Sequence, residues 1–116
     1  MNFKKHSFSD LKRTFWDKTL ENIDGSTYLH SSHMINYYQS FNKKTKNFSF
    51  LVKDDESKFV ACVVVVFTKF KNKNNLMYKN MLCPTPAIIN TNYSKRNKIK
   101  KFIWNEIFEI SKKFKI

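Results

Sequence analysis

Lys95, Arg96, Lys98, Lys100 and Lys101 crowd one short stretch near the end of the chain, with no acidic side chain among them. The chemistry such a cluster offers is the holding of an anion. A helix that begins here presents free N–H groups at the same place. Its dipole is positive at that end, so each cation there costs about 0.3–1 kcal/mol at low salt unless an anion docks. Asn90, Asn92 and Tyr93, just upstream, add polar donors. The candidate binding residues for a phosphate-bearing ligand are therefore Asn92, Lys95, Arg96 and Lys98. A solvated lysine-rich face would give the same string, and both readings stay open.

Other chemistry-bearing residues read more plainly. His30 and His33 stand three apart at an expected helix start, with no further ligand in sight, so no metal site is expected. They read as exposed or capping histidines. Asp54, Asp55 and Glu56 sit where a tight turn is expected, and Asp and Ser favour such turns through local hydrogen bonds. The chain has one glycine, Gly25. That excludes a phosphate-binding P-loop, a dinucleotide fingerprint and a nucleophile elbow, each of which needs several. Cys62 and Cys83 lie far apart in apolar runs, the pattern of buried thiols in a reducing compartment rather than a disulfide framework.

The formal net charge is +13, from 22 basic and 9 acidic residues in 116. Such an excess draws polyanions. Yet 20 of the 22 are lysine, whereas base readers lean on arginine. Asn, Ile, Phe, Tyr and Met are also abundant, so AT-rich codon usage is a competing source of the lysines. An apolar fraction of 41%, with twelve Phe, is that of a folding chain. The length suits a single domain over residues 1–116. Met1–Arg13 has no apolar signal core, and the longest apolar run, Phe59–Phe67, is about half a membrane span. A cytoplasmic protein without a membrane span is expected.

The elements that would position the basic cluster follow from periodicity. Ser7 or Ser9 predicts the cap of a first helix reaching Asn22, with Leu11, Phe15, Leu20 and Ile23 at helical spacing and Gly25 at its stop. Thr27–His30 reads as extended. Ser31 or Ser32 then caps a second helix with Met34, Ile35, Tyr38 and Phe41 on one side. Phe48–Lys53, Lys58–Phe70 and Leu76–Cys83 predict an antiparallel meander, its turns at Asp54–Ser57 and Lys71–Asn75. The run Val63–Val66 is apolar on both faces, as in a strand covered on both sides. Pro84 and Pro86 interrupt the ladder, and Ala87–Ile89 resumes it. A last helix starts at Ser94 or Lys95, with Ile99, Ile103, Ile107, Ile110 and Phe114 as its stripe, widened by Phe102, Trp104 and Phe108. The fold class expected is α+β in layers: two N-terminal helices, a three-stranded antiparallel meander and a C-terminal helix.

This order resembles the N-terminal half of a GNAT-fold acyltransferase, which begins with a strand and two helices, continues as an antiparallel meander, and breaks into a loop and a central helix. Phe15-Trp16 and the run Thr27 to Met34 look like the opening of FemAB-type members. Phe48–Val52 and Phe59–Phe67 look like their next two strands, and Cys83-Pro84-Thr85-Pro86-Ala87 like their proline-containing strand. The resemblance implies acyl or aminoacyl transfer, with acyl-CoA or aminoacyl-tRNA as donor. No glycine occurs from Ile88 to Lys98, which fits the aminoacyl-tRNA users better than the CoA users. It further implies a domain that is incomplete by itself, its sheet finished by an oligomer or partner subunit. Two other functions fit the same residues. One is a nucleic-acid module stacking bases on Tyr37, Tyr78 and Tyr93; the other is a non-catalytic interaction domain using an open sheet edge.

Overall fold

Alternation along two neighbouring strands organises the molecule. Phe50 and Val52 point to one side of a sheet and Leu51 to the other; Val63 and Cys62 divide in the same way, and all five are fully buried. The computed structural model describes residues 3–40, 46–71, 78–84, 87–90 and 93–113. Its elements are β1 (Lys4–Ser7), α1 (Arg13–Leu20), α2 (Ser32–Ser40), β2 (Lys46–Asn47), β3 (Phe50–Lys53), β4 (Phe59–Val63), β5 (Val65–Lys71), β6 (Tyr78–Pro84), β7 (Ile88–Ile89) and α3 (Arg96–Lys113). The fold is α+β, with the sheet covered on both faces, as the double-sided apolar run predicts.

The expected meander is present, but its first two strands are broken. β2 and β3 flank a gap at Phe48 and Ser49, and β4 and β5 flank Val64, while β6 is Tyr78–Pro84 and β7 is Ile88–Ile89. The pieces order as β1-β3-β4-β7 and β2-β5-β6, antiparallel throughout. Ser49 bridges the break in the middle. Its Oγ accepts a hydrogen bond from the Val65 N–H at 3.0 Å, and Phe48 N–H donates to Val65 O at 2.9 Å. The buried backbone at the kink thus keeps its partners.

One face carries α1 and α2. Trp16, Leu20, Ile23 and Ile35 pack there on Leu51, Cys62 and Val64. Trp16 is the anchor, with no exposed surface, and its Nε1 donates to His30 O at 2.8 Å. Phe15, expected on the buried stripe, is 42% exposed. The other face carries α3, through Ile99 and Ile103 against Phe50, Val52, Val60, Ala61, Val63 and Val65.

The first helix starts later than expected, and a strand without a place in the periodicity precedes it. Lys4–Ser7 pairs antiparallel with β3, Ser7 facing Phe50, and Phe8–Asp10, expected in the first turn of the helix, forms a short 3-10 turn. The edge of β3 offers this segment a full ladder of backbone hydrogen bonds, which a serine cap does not match. α1 starts later, at Arg13, with no side-chain cap on Lys12. Thr27–His30 likewise closes into a 3-10 turn, because Thr27 Oγ1 accepts from Leu29 N–H and His30 Nδ1 accepts from Thr27 N–H at 3.2 Å. His30 is therefore a buried cap, and His33 is exposed.

Ser31 Oγ caps the Met34 N–H of α2, while the Asp17 carboxylate accepts from both N–H and Oγ of Ser32. Gly25 takes φ of +83°, the left-handed region, in the turns that follow α1. The Asp54–Ser57 turn forms as expected. The buried Asp54 accepts from the N–H groups of Glu56 and Lys58 at 3.0 and 2.9 Å, and Ser57 sits at φ +63°. Phe41, Leu76, Pro86, Phe114 and the side chain of Cys83, expected as a buried thiol, lie outside what is described. Among the described residues no helix is long and apolar enough to cross a membrane.

Candidate functional site

The helix that carries the basic cluster begins where the sheet edge ends. β7 pairs with β4 through Ile88 and Ile89, Asn90 N–H donates to Val60 O at 2.9 Å, and the chain then turns toward α3. Tyr93 N–H donates to Asn90 O at 3.1 Å, and Ile99 N–H closes the first helical turn onto Lys95 O at 3.1 Å. Burial of Ile99 and Ile103 fixes the helix against the sheet, leaving its start facing outward. A cavity of about 570 Å³ lies over that start, lined by Lys95, Arg96, Lys98 and Lys100 together with Tyr93 and Ser94.

The four named candidates divide. Lys95 and Lys98 line the cavity, and Lys98 is exposed. Lys95 is also 3.8 Å from an Asp55 carboxylate oxygen, so one anion already sits beside it. Arg96 lines the same cavity but is tied inward: its Nη1 donates to Asn90 O at 2.7 Å and Ile89 O at 3.2 Å. Asn92 lies outside the described residues. Lys98, Lys100 and Lys101 have no acidic group at ion-pair distance among the described residues.

The upstream donors behave differently from the expectation. Asn90 acts as an acceptor, its Oδ1 taking the Asp24 N–H at 2.9 Å and so joining the loop after α1 to the start of the site. Tyr93 is half-buried, packed edge-on to Phe3 at 6.4 Å. Its hydroxyl is buried with no hydrogen-bond partner among the described residues. Burial, and then the negative charge of Asp54, Asp55 and Glu56, push its phenol above the usual range. Tyr93 is thus no open stacking platform, whereas Tyr37 is exposed and Tyr78 is described through its backbone alone.

Two features here escape sequence reading. Arg96 spans back six and seven residues to the strand edge, a relationship that periodicity does not encode. Trp104 and Phe108, counted on the buried stripe of α3, are 60% and 55% exposed. The only available hint is that they sit one position off the Ile99-Ile103-Ile107-Ile110 line. The lining groups are cations, amides and hydroxyls. Their chemistry is anion binding, with the helix N-terminus behind them.

No family model, curated protein or solved structure matches this chain.

Proposed function

We propose that this chain is the donor-binding half of a GNAT-like acyltransferase, of FemAB-like type, and that the start of α3 receives the phosphates of its acyl donor. The observation that carries the reading is the placement of Lys95, Lys98 and Lys100 around one cavity at a helix N-terminus, directly after an edge strand. The order strand, two helices, broken antiparallel meander, helix supports it. So does the N-terminal strand Lys4–Ser7, which belongs to the resemblance and is absent from the periodicity.

In such a transfer an amine attacks the donor's thioester or ester carbon. A C–N bond forms, the C–S or C–O bond breaks, and the amine loses a proton. Orientation of the donor supplies much of the rate in reactions of this kind. The role of the residues named here is that orientation: cations and helix N–H groups fix the phosphates. No residue is assigned to the bond-making step.

The donor is acyl-CoA or aminoacyl-tRNA, which share the phosphate chemistry. Thermal unfolding with acetyl-CoA, with desulfo-CoA and with tRNA, at low and moderate salt, separates them. A Tm raised by one of these, and no longer raised in Lys95→Glu/Lys98→Glu, supports the site and chooses the donor. A Tm unmoved by all three overturns it. A response to tRNA and to random-sequence single-stranded DNA alike would assign the charge to general nucleic-acid binding instead.

A further inference from the structure

Beside α3, at the border of its packed face, the described sheet ends in β7. Among the described residues β7 pairs with β4 alone, leaving its other edge without a strand. Between that edge and the helix runs a largely apolar groove of about 310 Å³, walled by Val63, Ala87 and Ile89 on the sheet side and Ile103, Trp104 and Ile107 on the helix side. Phe108, 55% exposed, stands next to the groove, its ring centroid 5.8 Å from that of Trp104. Large apolar rings left in water next to an open strand edge are the two features by which extended peptides are captured: backbone pairing along the edge, and pockets for alternate side chains.

Charge selects the occupant. Lys100 lines this groove as well as the cationic cavity, and it is exposed. The acids of α3 do not offset it, because Glu106 is paired with Lys5 at 3.1 Å and Glu109 with Lys112 at 3.7 Å. A second copy of the chain would bring another +13 to the contact, which opposes self-association. Arg96 also closes the edge at Ile89 by holding that carbonyl. The free edge is therefore short, and the Lys100–Trp104–Phe108 stripe, with its four-residue helical spacing, has to supply most of the contact.

We propose that the groove between β7 and α3 docks an extended, acidic segment of a partner protein, its backbone beside β7, its alternate apolar side chains against Trp104, and its carboxylates at Lys100. This surface shares Lys100 with the cationic cavity but does not rest on the acyl-donor reading.

Trp104 is its own reporter, since Trp16 is fully buried and Trp104 mostly exposed. The probe is a peptide of about ten residues, a common strand length, alternating Glu with Ile, Val or Phe; the control replaces every Glu with Lys. The acidic peptide should shift tryptophan emission to the blue with a Kd below about 1 mM, and Lys100→Glu should weaken it at least about tenfold. Trp104→Phe should remove the signal, and Lys98→Glu should leave the affinity within about twofold. Absence of any shift with the acidic peptide, or an equal response to the lysine peptide, overturns the proposal. A blue shift that grows with protein concentration alone, matched by dimer in sedimentation, overturns it too, by giving the groove to a second copy.

Discussion

Arg96 Nη1 lies 2.7 Å from the main-chain oxygen of Asn90 and 3.2 Å from that of Ile89, so the first residue of α3 is fastened to the end of the sheet edge before it. The arginine in the basic cluster is thereby a structural cation first. Ile89 O, which faces no further strand among the described residues, receives a charged donor there, and Asn90 O takes the same donor beside the Tyr93 N–H.

Replacing Arg96 should separate this tie from anion binding. Arg96→Ala removes charge-assisted hydrogen bonds of a kind worth about 1.5–3 kcal/mol each when intact. Half-exposure allows water to stand in, so the expected loss is about 1–2 kcal/mol in urea unfolding. Hydrogen exchange should show the amides of residues 88–90 losing protection. Unchanged stability and exchange would mean that the contact contributes nothing.

Lys98 predicts the converse. It is exposed and has no acidic partner among the described residues, so Lys98→Glu should leave the Tm within about 2 °C. It should nevertheless reduce affinity for a phosphate-bearing ligand. The remaining affinity should fall less steeply with salt than that of the parent, because one ionic contact has gone. Titrations at three salt concentrations measure both slopes. Parallel slopes would place Lys98 outside the ligand contact.

The kink between β4 and β5 rests on one hydroxyl. Ser49 is buried, and its Oγ is the partner of the Val65 N–H, which β3 does not reach. Ser49→Ala leaves that donor unsatisfied in a closed core, at a cost of about 1–3 kcal/mol. Ser49→Thr keeps the hydroxyl and should recover part of it, offset by the methyl group it must fit. Equilibrium unfolding of the pair tests this, and an alanine variant as stable as the parent would contradict it.

Sequence reading succeeded where side-chain periodicity is the cause of structure. The run Val63–Val66 is apolar on both faces because helices cover both faces, and Ile99, Ile103 and Ile110 are buried as their spacing requires. It failed where a distant backbone decides. Ser7, read as a candidate helix cap, ends a strand, because Lys4–Ser7 pairs along the edge of β3. Trp104 and Phe108 are as hydrophobic as their neighbours, yet they stay exposed beyond the end of the described sheet. In the candidate site the charges of Lys95 and Lys98 were legible. The inward turn of Arg96 was not, because it depends on where an edge carbonyl lies rather than on residue type.

Cys62 gives the pH dependence. Its side chain is fully buried between α1 and the sheet, and burial pushes the thiol well above its ordinary range. The unfolded chain releases this proton near pH 8.5, the usual thiol value, while the folded chain keeps it. Above that pH the folded state therefore binds more protons than the unfolded one, and stability must fall as pH rises. Below the ordinary thiol range the contribution is complete. Cys62→Val, close in volume and without a proton to lose, should flatten the stability profile between about pH 8 and 10 relative to the parent. Peptide mapping after iodoacetamide treatment at pH 8.5 offers an independent check. Cys62 should be labelled only as fast as the chain opens, with a rate that rises in step with added urea. Rapid labelling of the native protein without urea would show that the thiol is reachable and that the buried face between α1 and the sheet is not closed.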